Sequence, residues 1–258
     1  MDYAEIRFEA EGPIATITLN NPSKINALSQ KMVSELNDVL SMMADNETVK
    51  VIVLKAAGKH FCAGHYLAEM TGKGAKEYRN LFNKCTEMMQ LMHKIPQIII
   101  AQVRGIATAA GCQLVAWSDM AVADDGAKFA TPGVKIGLFC TTPMVAIARS
   151  IGRKAAMEML MTGRYFSATE AKELGLINRV VSPENLEQET HELALQVIEA
   201  SGFVLGIGKQ AFYAQIDQPD DTAWNYAKHT IALNNLAEDA QNGITAFLTK
   251  SKATWANR

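Results

Sequence analysis

Two short segments rich in Gly and Ala constrain the fold of this chain more than any other feature. They are residues 61–67 and 105–114, and each follows an apolar run typical of a buried strand, at residues 51–54 and at Ile98–Val103. Each segment then leads into a helical pattern. A chain that alternates strand, small-residue loop and helix in this way is expected to fold as a layered α/β structure.

The same two segments also indicate a chemistry. Small residues let the backbone approach another group closely, and the first N–H groups of a helix have no partner inside it. Two such loops can aim two backbone N–H groups at the oxygen of a polarised carbonyl. The sequence therefore predicts an oxyanion hole, meaning a pair of donors that stabilises negative charge on that oxygen.

Length and composition allow one large domain and exclude several classes of partner. The chain has 258 residues, of which 48% are hydrophobic, and this is enough to bury a sizeable core. The formal net charge is -2, and Lys and Arg are scattered rather than clustered. No apolar run approaches the length of a membrane span. We therefore expect neither a nucleic-acid partner nor a membrane partner.

Cysteine and histidine spacing gives expectations about compartment and metals. The four cysteines are widely spaced and include no Cys-x-x-Cys pair, and no signal peptide is recognisable. This pattern favours a reducing, cytoplasmic setting with buried thiols. The histidines show no metal-ligand spacing, so no metal site is expected.

Periodicity divides the chain into two parts. Further strands are predicted at Ile14–Leu19, 120–123 and 128–130, a helix is predicted at 76–94, and Ser29 is a predicted helix N-cap. After Pro183 the pattern is almost wholly helical. We therefore predict an α/β core at residues 1–195 and a helical C-terminal region at residues 196–258.

Six motifs resemble, in order and spacing, those of the crotonase (enoyl-CoA hydratase/isomerase) superfamily. They are residues 20–28, 61–67, 105–114 with Asp119, 129–137, 168–180 and 243–250. The resemblance covers essentially the whole chain. It implies a crotonase-like spiral of ββα units with a helical C-terminal trimerisation region. The expected assembly is a homotrimer or a hexamer built as a dimer of trimers.

The resemblance also assigns site residues. It implies that the backbone N–H groups of His65 and Ala110 form the oxyanion hole for the carbonyl of an acyl-CoA thioester. Coenzyme A is then part of the substrate, and no separately bound cofactor is expected. The residues implied for the CoA portion are Lys24, Ala27, Ala63 and Leu67, with Phe247 and Lys250 reaching the nucleotide of a neighbouring subunit.

The sequence departs from the family's hydratases at two positions. The resemblance places their two proton-transferring glutamates at positions 113 and 133, where this chain has Gln113 and Gly133. An amide cannot take up a proton at neutral pH, and glycine has no side chain. Because a positioned acid or base contributes about 10²–10⁴-fold, we expect two-glutamate hydration to be very slow and isomerisation to be weakened.

The reaction itself stays open at this point. We expect a lyase or isomerase of fatty acid metabolism that stabilises a thioester enolate. One alternative is a decarboxylase-like enzyme in which His65, with a pKa near neutral, protonates the enolate. The simpler interpretation of His65 is that only its backbone matters and that its ring points to solvent or to the pantetheine arm. A second alternative is a catalytically silent protein that binds CoA thioesters.

The loop after Gly137 adds two side chains to the predicted acyl pocket. Cys140 and Thr141 are candidates to line it. No carboxylate lies in residues 138–142, so the aspartate that an aryl-CoA dehalogenase needs is absent. A nucleophilic Cys140 has no identifiable base in the sequence, so a packing role is favoured.

Overall fold

A six-stranded sheet forms the centre of the computed structural model, which describes residues 2–258. This part of the chain contains nine strands: β1 Ile6–Glu11, β2 Ile14–Leu19, β3 Val51–Ala56, β4 Ile98–Val103, β5 Ile106–Thr108, β6 Met120–Asp124, β7 Lys128–Ala130, β8 Phe166–Ser167 and β9 Arg179–Val181. It contains ten α-helices: α1 Gln30–Ala44, α2 Ala75–Lys94, α3 Ala110–Trp117, α4 Thr141–Ser150, α5 Arg153–Thr162, α6 Ala168–Glu173, α7 Leu186–Ile198, α8 Gly202–Gln215, α9 Asp220–Asn234 and α10 Glu238–Thr249.

The strand order explains why the two small-residue segments meet. The large sheet runs β1-β2-β3-β4-β6-β9, and β5, β7 and β8 form a second, three-stranded sheet. Only the β1–β2 pair of the large sheet is antiparallel, whereas β3 and β4 are parallel neighbours. The carboxyl ends of β3 and β4 therefore lie at the same edge of the sheet, and each is followed there by one of the segments.

Helices cover both faces of the large sheet. Because successive side chains of a strand point to opposite faces, Ile52 and Leu54 join the main core with α1 and α2. Val51 and Val53 join a second cluster, to which α7 contributes Leu186, Leu193 and Ala194. This two-sided burial is the reason that β3 and β4 are apolar runs rather than alternating ones.

Several elements match the sequence prediction closely. Strands β2, β4 and β7 have the predicted bounds, and α2 begins one residue before the predicted position. The predicted N-cap of α1 is confirmed, because the Ser29 side chain accepts a hydrogen bond from the Met32 N–H at 3.0 Å. Strand β1 was not predicted from the sequence, since it is an edge strand with charged residues on its exposed face.

The C-terminal region is helical, as predicted. No strand follows β9 in the described chain. The predicted boundary at residue 195 falls inside α7, a helix that packs on the sheet, so the division into two domains stays a prediction. None of the helices formed by residues 2–258 is long and apolar enough to cross a membrane.

A buried ion pair ties α8 to the sheet. The Lys209 ammonium lies 2.8 Å from Asp119 and also donates to the Gln97 carbonyl at 2.6 Å. Asp119 accepts further hydrogen bonds from the Ile99 N–H at 2.7 Å and the Tyr213 hydroxyl at 2.8 Å. Burial lowers the pKa of Lys209, and the nearby Asp119 carboxylate opposes that shift. The pair is a structural cross-link outside the predicted site.

Outside the core, α9 has no buried residue. Large apolar side chains lie exposed along α9, α10 and the turn between them, and we call this set the C-terminal apolar surface: Trp224, Ile231, Leu233, Leu236, Phe247 and Leu248. A single exposed apolar side chain is ordinary, so the grouping of six on these neighbouring elements is the unusual feature.

Candidate active site

Backbone hydrogen bonds join the two small-residue segments. Cys62 forms two hydrogen bonds with β5. Its N–H donates to the Ile106 carbonyl at 3.1 Å, and its carbonyl accepts from the Thr108 N–H at 2.9 Å. On the other side, the Leu28 N–H donates to the Gly64 carbonyl at 2.7 Å. The first segment is therefore held between residue 28 and the start of the second segment.

Gly64 is the point of closest approach between the segments. Its φ of +94° is one that residues with side chains rarely adopt. A Cβ at this position would lie 2.8 Å from the Ala109 Cβ and 3.3 Å from the Ala110 nitrogen. Glycine is the residue that fits here. Because it has no side chain, the backbones that carry residues 65 and 110 can pack against each other.

The two predicted oxyanion donors are unpaired. Among residues 2–258 no carbonyl or side chain accepts a hydrogen bond from the backbone N–H of His65 or of Ala110. Their neighbours are paired, since the Tyr66 N–H donates to Leu28 and the Ala109 N–H donates to Ala130. Ala110 is the first residue of α3, where the helix carries partial positive charge. The pair therefore offers two free donors on adjoining segments.

Ala109 turns the chain sharply into α3. Its backbone has φ +50° and ψ −119°, a conformation that costs a residue with a Cβ about 1–3 kcal/mol. Two hydrogen bonds hold it there, from its own N–H to the Ala130 carbonyl at 2.9 Å and from the Gln113 N–H to its carbonyl at 3.0 Å.

Both donor residues line one cavity of about 350 Å³. Of the other predicted residues, Ala63, Leu67 and Gly133 also line it, as do Cys140 and Thr141. Sequence reasoning missed the apolar side chains that complete the wall: Met70, Phe82, Pro132, Ile136, Leu138, Phe139 and Pro143. Phe82 comes from α2, Met70 from the short helical turn before α2, and the other five from residues 132–143, which end in the first turn of α4. Nothing local in the sequence indicates which of their faces points inward.

The His65 ring lies inside this cavity rather than in solvent. It packs edge-on against Phe82, with ring centroids 5.3 Å apart, and its Nε2 is buried with no partner among the described residues. Burial lowers the pKa of His65 to about 4. The ring is therefore neutral at pH 7, in contrast to the near-neutral pKa expected from the sequence.

Gln113 is buried but is not among the residues that line the cavity. Its Oε1 has no hydrogen-bond partner in the described structure. The same holds for the hydroxyl of Thr131, a fully buried residue that directly precedes the cavity-lining Pro132. Unpaired buried oxygens of this kind are rare and call for a partner such as water or a ligand group.

Position 133 has no room for any side chain. A Cβ on Gly133 would lie 2.1 Å from the Leu138 carbonyl oxygen and 2.8 Å from the Cys140 sulfur. The loop is closed tightly here, since the Leu138 N–H donates to the Gly133 carbonyl at 2.9 Å. The loop itself thus occupies the space in which a side chain at position 133 would begin.

The residues implied for CoA fall into two groups. Lys24 is exposed, with its ammonium 4.3 Å from the centroid of the Tyr66 ring, close to the segment that lines the cavity. Ala27 is buried beside it, next to Leu28. Phe247 and Lys250 lie at the end of α10, exposed and not among the residues lining the cavity. Their predicted role in a neighbouring subunit stays a prediction.

No cluster of three or more His, Cys, Asp or Glu side chains that could hold a metal ion is found between residues 2 and 258.

Comparisons with known proteins find relatives over nearly the full length. The enoyl-CoA hydratase domain-containing protein 3 of Danio rerio is 46% identical over 250 residues, which cover 96% of this chain and 86% of the relative. The crystal structure of an enoyl-CoA hydratase from Mycobacterium smegmatis is 43% identical, with a TM-score of 0.96 and coverage of 98% and 99%. That of human enoyl Coenzyme A hydratase domain-containing protein 3 is 42% identical, with a TM-score of 0.95 and coverage of 98% and 100%.

These relatives contradict the expected cytoplasmic location. Five vertebrate relatives that are 42–46% identical are named as mitochondrial proteins. The four buried, free cysteines are consistent with a reducing compartment but do not say which one. The cytoplasmic prediction was wrong because cysteine spacing and the lack of a recognisable signal peptide do not distinguish the cytoplasm from the mitochondrion.

The fold and the family agree. The protein-family model described as enoyl-CoA hydratase/isomerase matches residues 9–258. The predicted crotonase-like α/β fold is confirmed by this match and by the solved structures. The chain belongs to the enoyl-CoA hydratase/isomerase family.

Proposed function

We propose that this protein binds an acyl-CoA thioester and stabilises its enolate between the backbone N–H groups of His65 and Ala110. The observation that carries the proposal is that both N–H groups are unpaired, on adjoining segments, at the wall of one cavity. Fixed dipoles of this kind stabilise developing negative charge without reorganising, and loss of one donor costs about 10²–10³ in rate.

Relatives support the substrate class. A crotonyl-CoA hydratase of Syntrophomonas wolfei and a short-chain-enoyl-CoA hydratase of Clostridium acetobutylicum are each 29% identical over nearly the whole chain. A CoA thioester is therefore the proposed substrate, and coenzyme A enters only as part of it. Lys24, Ala27, Ala63 and Leu67 are proposed to flank its nucleotide and pantetheine.

Two-glutamate hydration is not part of the proposal. Gln113 supplies no proton at neutral pH, and the closed loop around Gly133 leaves no space for a carboxylate. The proposed reaction is a lyase or isomerase step that proceeds through the enolate with other proton-transfer groups.

Decarboxylation is the second candidate reaction. The cavity wall is mostly apolar. Lys135 is the one Lys, Arg, Asp or Glu residue among those that line it, and its side chain is exposed to solvent. An ionised carboxylate on the acyl group would be poorly solvated there, which favours its loss as CO₂. The enolate left behind would again be stabilised by the two N–H groups.

A silent CoA-thioester binder is less well supported. Binding alone does not require two free donors at the carbonyl site, nor a residue held in the costly backbone conformation of Ala109. Strain of this kind clusters at active sites, ligand clamps and switch regions, so by itself it marks a functional site.

We also propose a homotrimer, or a hexamer formed from two trimers. The exposure of six large apolar side chains on the C-terminal apolar surface supports an interface between copies of the chain. In this assembly Phe247 and Lys250 reach the nucleotide of the neighbouring subunit. Sedimentation of the purified protein tests the assembly, and a monomer at micromolar concentration would contradict it.

One panel of thioesters tests the function. Binding by calorimetry and turnover by mass spectrometry are measured with crotonyl-CoA, a 3-enoyl-CoA, malonyl-CoA and benzoyl-CoA. We expect binding of CoA thioesters and turnover of a substrate other than crotonyl-CoA. Efficient hydration of crotonyl-CoA would contradict the argument from positions 113 and 133, and binding without any turnover would favour the silent binder.

A further inference from the structure

An enolate formed in the cavity must gain a proton at its α-carbon, and few of the lining groups can supply one. Burial keeps His65 neutral at pH 7, since its pKa is lowered to about 4. Lys135 is exposed, and the hydroxyls of Thr141 and Thr142 hold their protons too tightly at neutral pH. Gly133 offers no group.

The remaining candidate is the thiol of Cys140. Cys140 lines the cavity and is 9% exposed. Its sulfur lies 2.8 Å from the place where a Cβ on Gly133 would stand. The family resemblance puts the second proton-transferring glutamate at position 133. The thiol therefore lies beside the space in which that side chain would begin, and only the Leu138 carbonyl oxygen, at 2.1 Å, is nearer to it.

The state of the thiol fits a donor rather than a nucleophile. Burial raises the pKa of Cys140, so the thiol keeps its proton at neutral pH. A backbone hydrogen bond from Gly133 opposes that shift and would stabilise a thiolate for the short time that it exists. A thiol gives up its proton far more readily than the aliphatic hydroxyls of Thr141 and Thr142, which makes it the better proton donor of the three.

We propose that the Cys140 thiol donates the proton to the α-carbon of the enolate, an inference that rests on the proposed function. The S–H bond breaks and its electron pair stays on sulfur. The electron pair of the enolate C=C bond forms the new C–H bond, while the carbonyl re-forms and its oxygen loses the negative charge. The thiolate then takes a proton from water, and the hydroxide that is left passes to the solvent.

Reversal of this step gives an assay that does not need the natural substrate. The thiolate would remove an α-proton from a saturated thioester, and deuterium would enter from D₂O. The probe is butyryl-CoA, and its α-deuterium content is followed by NMR. We expect the unmodified protein to exchange the α-protons and Cys140→Ala to exchange them at least about 10²-fold more slowly, with unchanged affinity for butyryl-CoA.

Two further variants make the comparison specific. Cys140→Ser keeps the size and hydrogen bonding of the side chain but holds its proton more tightly, so its exchange is also expected to be slow. It serves as the main variant if Cys140→Ala does not fold. Cys85→Ala removes a buried thiol in α2 that does not line the cavity, and its exchange is expected to match that of the unmodified protein.

The outcomes separate the two proposals. Absence of exchange by the unmodified protein, with butyryl-CoA bound, would overturn the proposed function and the thiol role together. Exchange that continues at the normal rate in both Cys140 variants would overturn the thiol role alone. Loss of exchange in His65→Gln but not in the Cys140 variants would assign the proton to the imidazole instead.

Discussion

Substituting Gly64 by alanine should disable the proposed oxyanion hole while leaving the proposed CoA-binding residues Lys24, Ala27 and Leu67 unchanged. The added Cβ would lie 2.8 Å from the Ala109 Cβ and 3.1 Å from the Thr108 carbonyl oxygen. Carbon atoms pack best at about 3.5–4.0 Å, so the two segments must separate by roughly 1 Å. The separation acts on the two residues next to the contact, which are the proposed donors.

The structure gives the size of the effect. The φ of +94° costs alanine about 1–3 kcal/mol, and overpacking costs a further 1–3 kcal/mol, so the free energy of unfolding should fall by about 2–6 kcal/mol. A misplacement of about 1 Å in a catalytic arrangement costs roughly 10²-fold in rate. We therefore expect α-proton exchange on butyryl-CoA to fall by about 10²-fold.

The control is Gly12→Ala. Gly12 also has a positive φ, +57°, but a Cβ there would meet nothing within 4 Å. This variant shares the backbone strain without the contact between segments. Urea unfolding measures the stability of both variants, and NMR measures exchange by the folded protein. If Gly64→Ala folds and exchanges as fast as Gly12→Ala, the two segments do not form the donor pair.

Three more results are expected. Gly133→Glu, alone or with Gln113→Glu, should lose stability and gain no hydration of crotonyl-CoA, because a Cβ at position 133 would lie 2.1 Å from a carbonyl oxygen. Lys209→Met should lower the free energy of unfolding in urea by about 3–5 kcal/mol, since it leaves a buried carboxylate unpaired, whereas Arg149→Ala, which breaks an exposed pair, should change it by less than about 1 kcal/mol. The stabilisation that neutral His65 provides is complete above its unfolded pKa of about 6.5, and it should be lost as the pH falls toward about 4, at up to about 1.4 kcal/mol per pH unit.

Each of these has a clear contrary result. Crotonyl-CoA hydration by the double variant would show that the loop around Gly133 opens. Equal losses of stability for the Lys209 and Arg149 variants would show that burial of the ion pair is unimportant. If the pH effect is due to His65, the free energy of unfolding should fall less in His65→Gln than in the unmodified protein between pH 6.5 and pH 4. An equal fall in the two proteins would contradict this assignment.

Much of the fold could be predicted because the signals were local. The apolar runs of β3 and β4 reflect burial on both faces, and their place before two Gly- and Ala-rich segments indicated that the segments would meet. Strand β1 escaped detection because an edge strand needs only one apolar face. The boundary at residue 195 was placed inside α7 because helical periodicity does not tell a helix that covers the sheet from one that leaves it.

The site was harder to predict because its wall comes from distant parts of the chain. The motifs pointed to His65 and Ala110, which both line the cavity, but Phe82 of α2 could not be assigned to the cavity from spacing alone. The pKa of His65 is lowered by burial, and neither this burial nor the packing of the ring against Phe82 is visible in the sequence. The close packing of residues 138–140 on Gly133 is likewise a property of the folded loop.

The backbone of Ala109 determines when the segment that carries the proposed donor becomes ordered. A flexible loop would have to order itself around the thioester in every catalytic cycle, and that entropy would be lost from each turnover. Here the unfavourable conformation is imposed once, when the chain folds, and the hydrogen bonds to Ala130 and from Gln113 maintain it afterwards. Glycine at position 109 would relieve the strain, but it would lose more conformational freedom when the chain folds. The strained alanine thus fixes the proposed donor, the Ala110 N–H, in place before any ligand arrives.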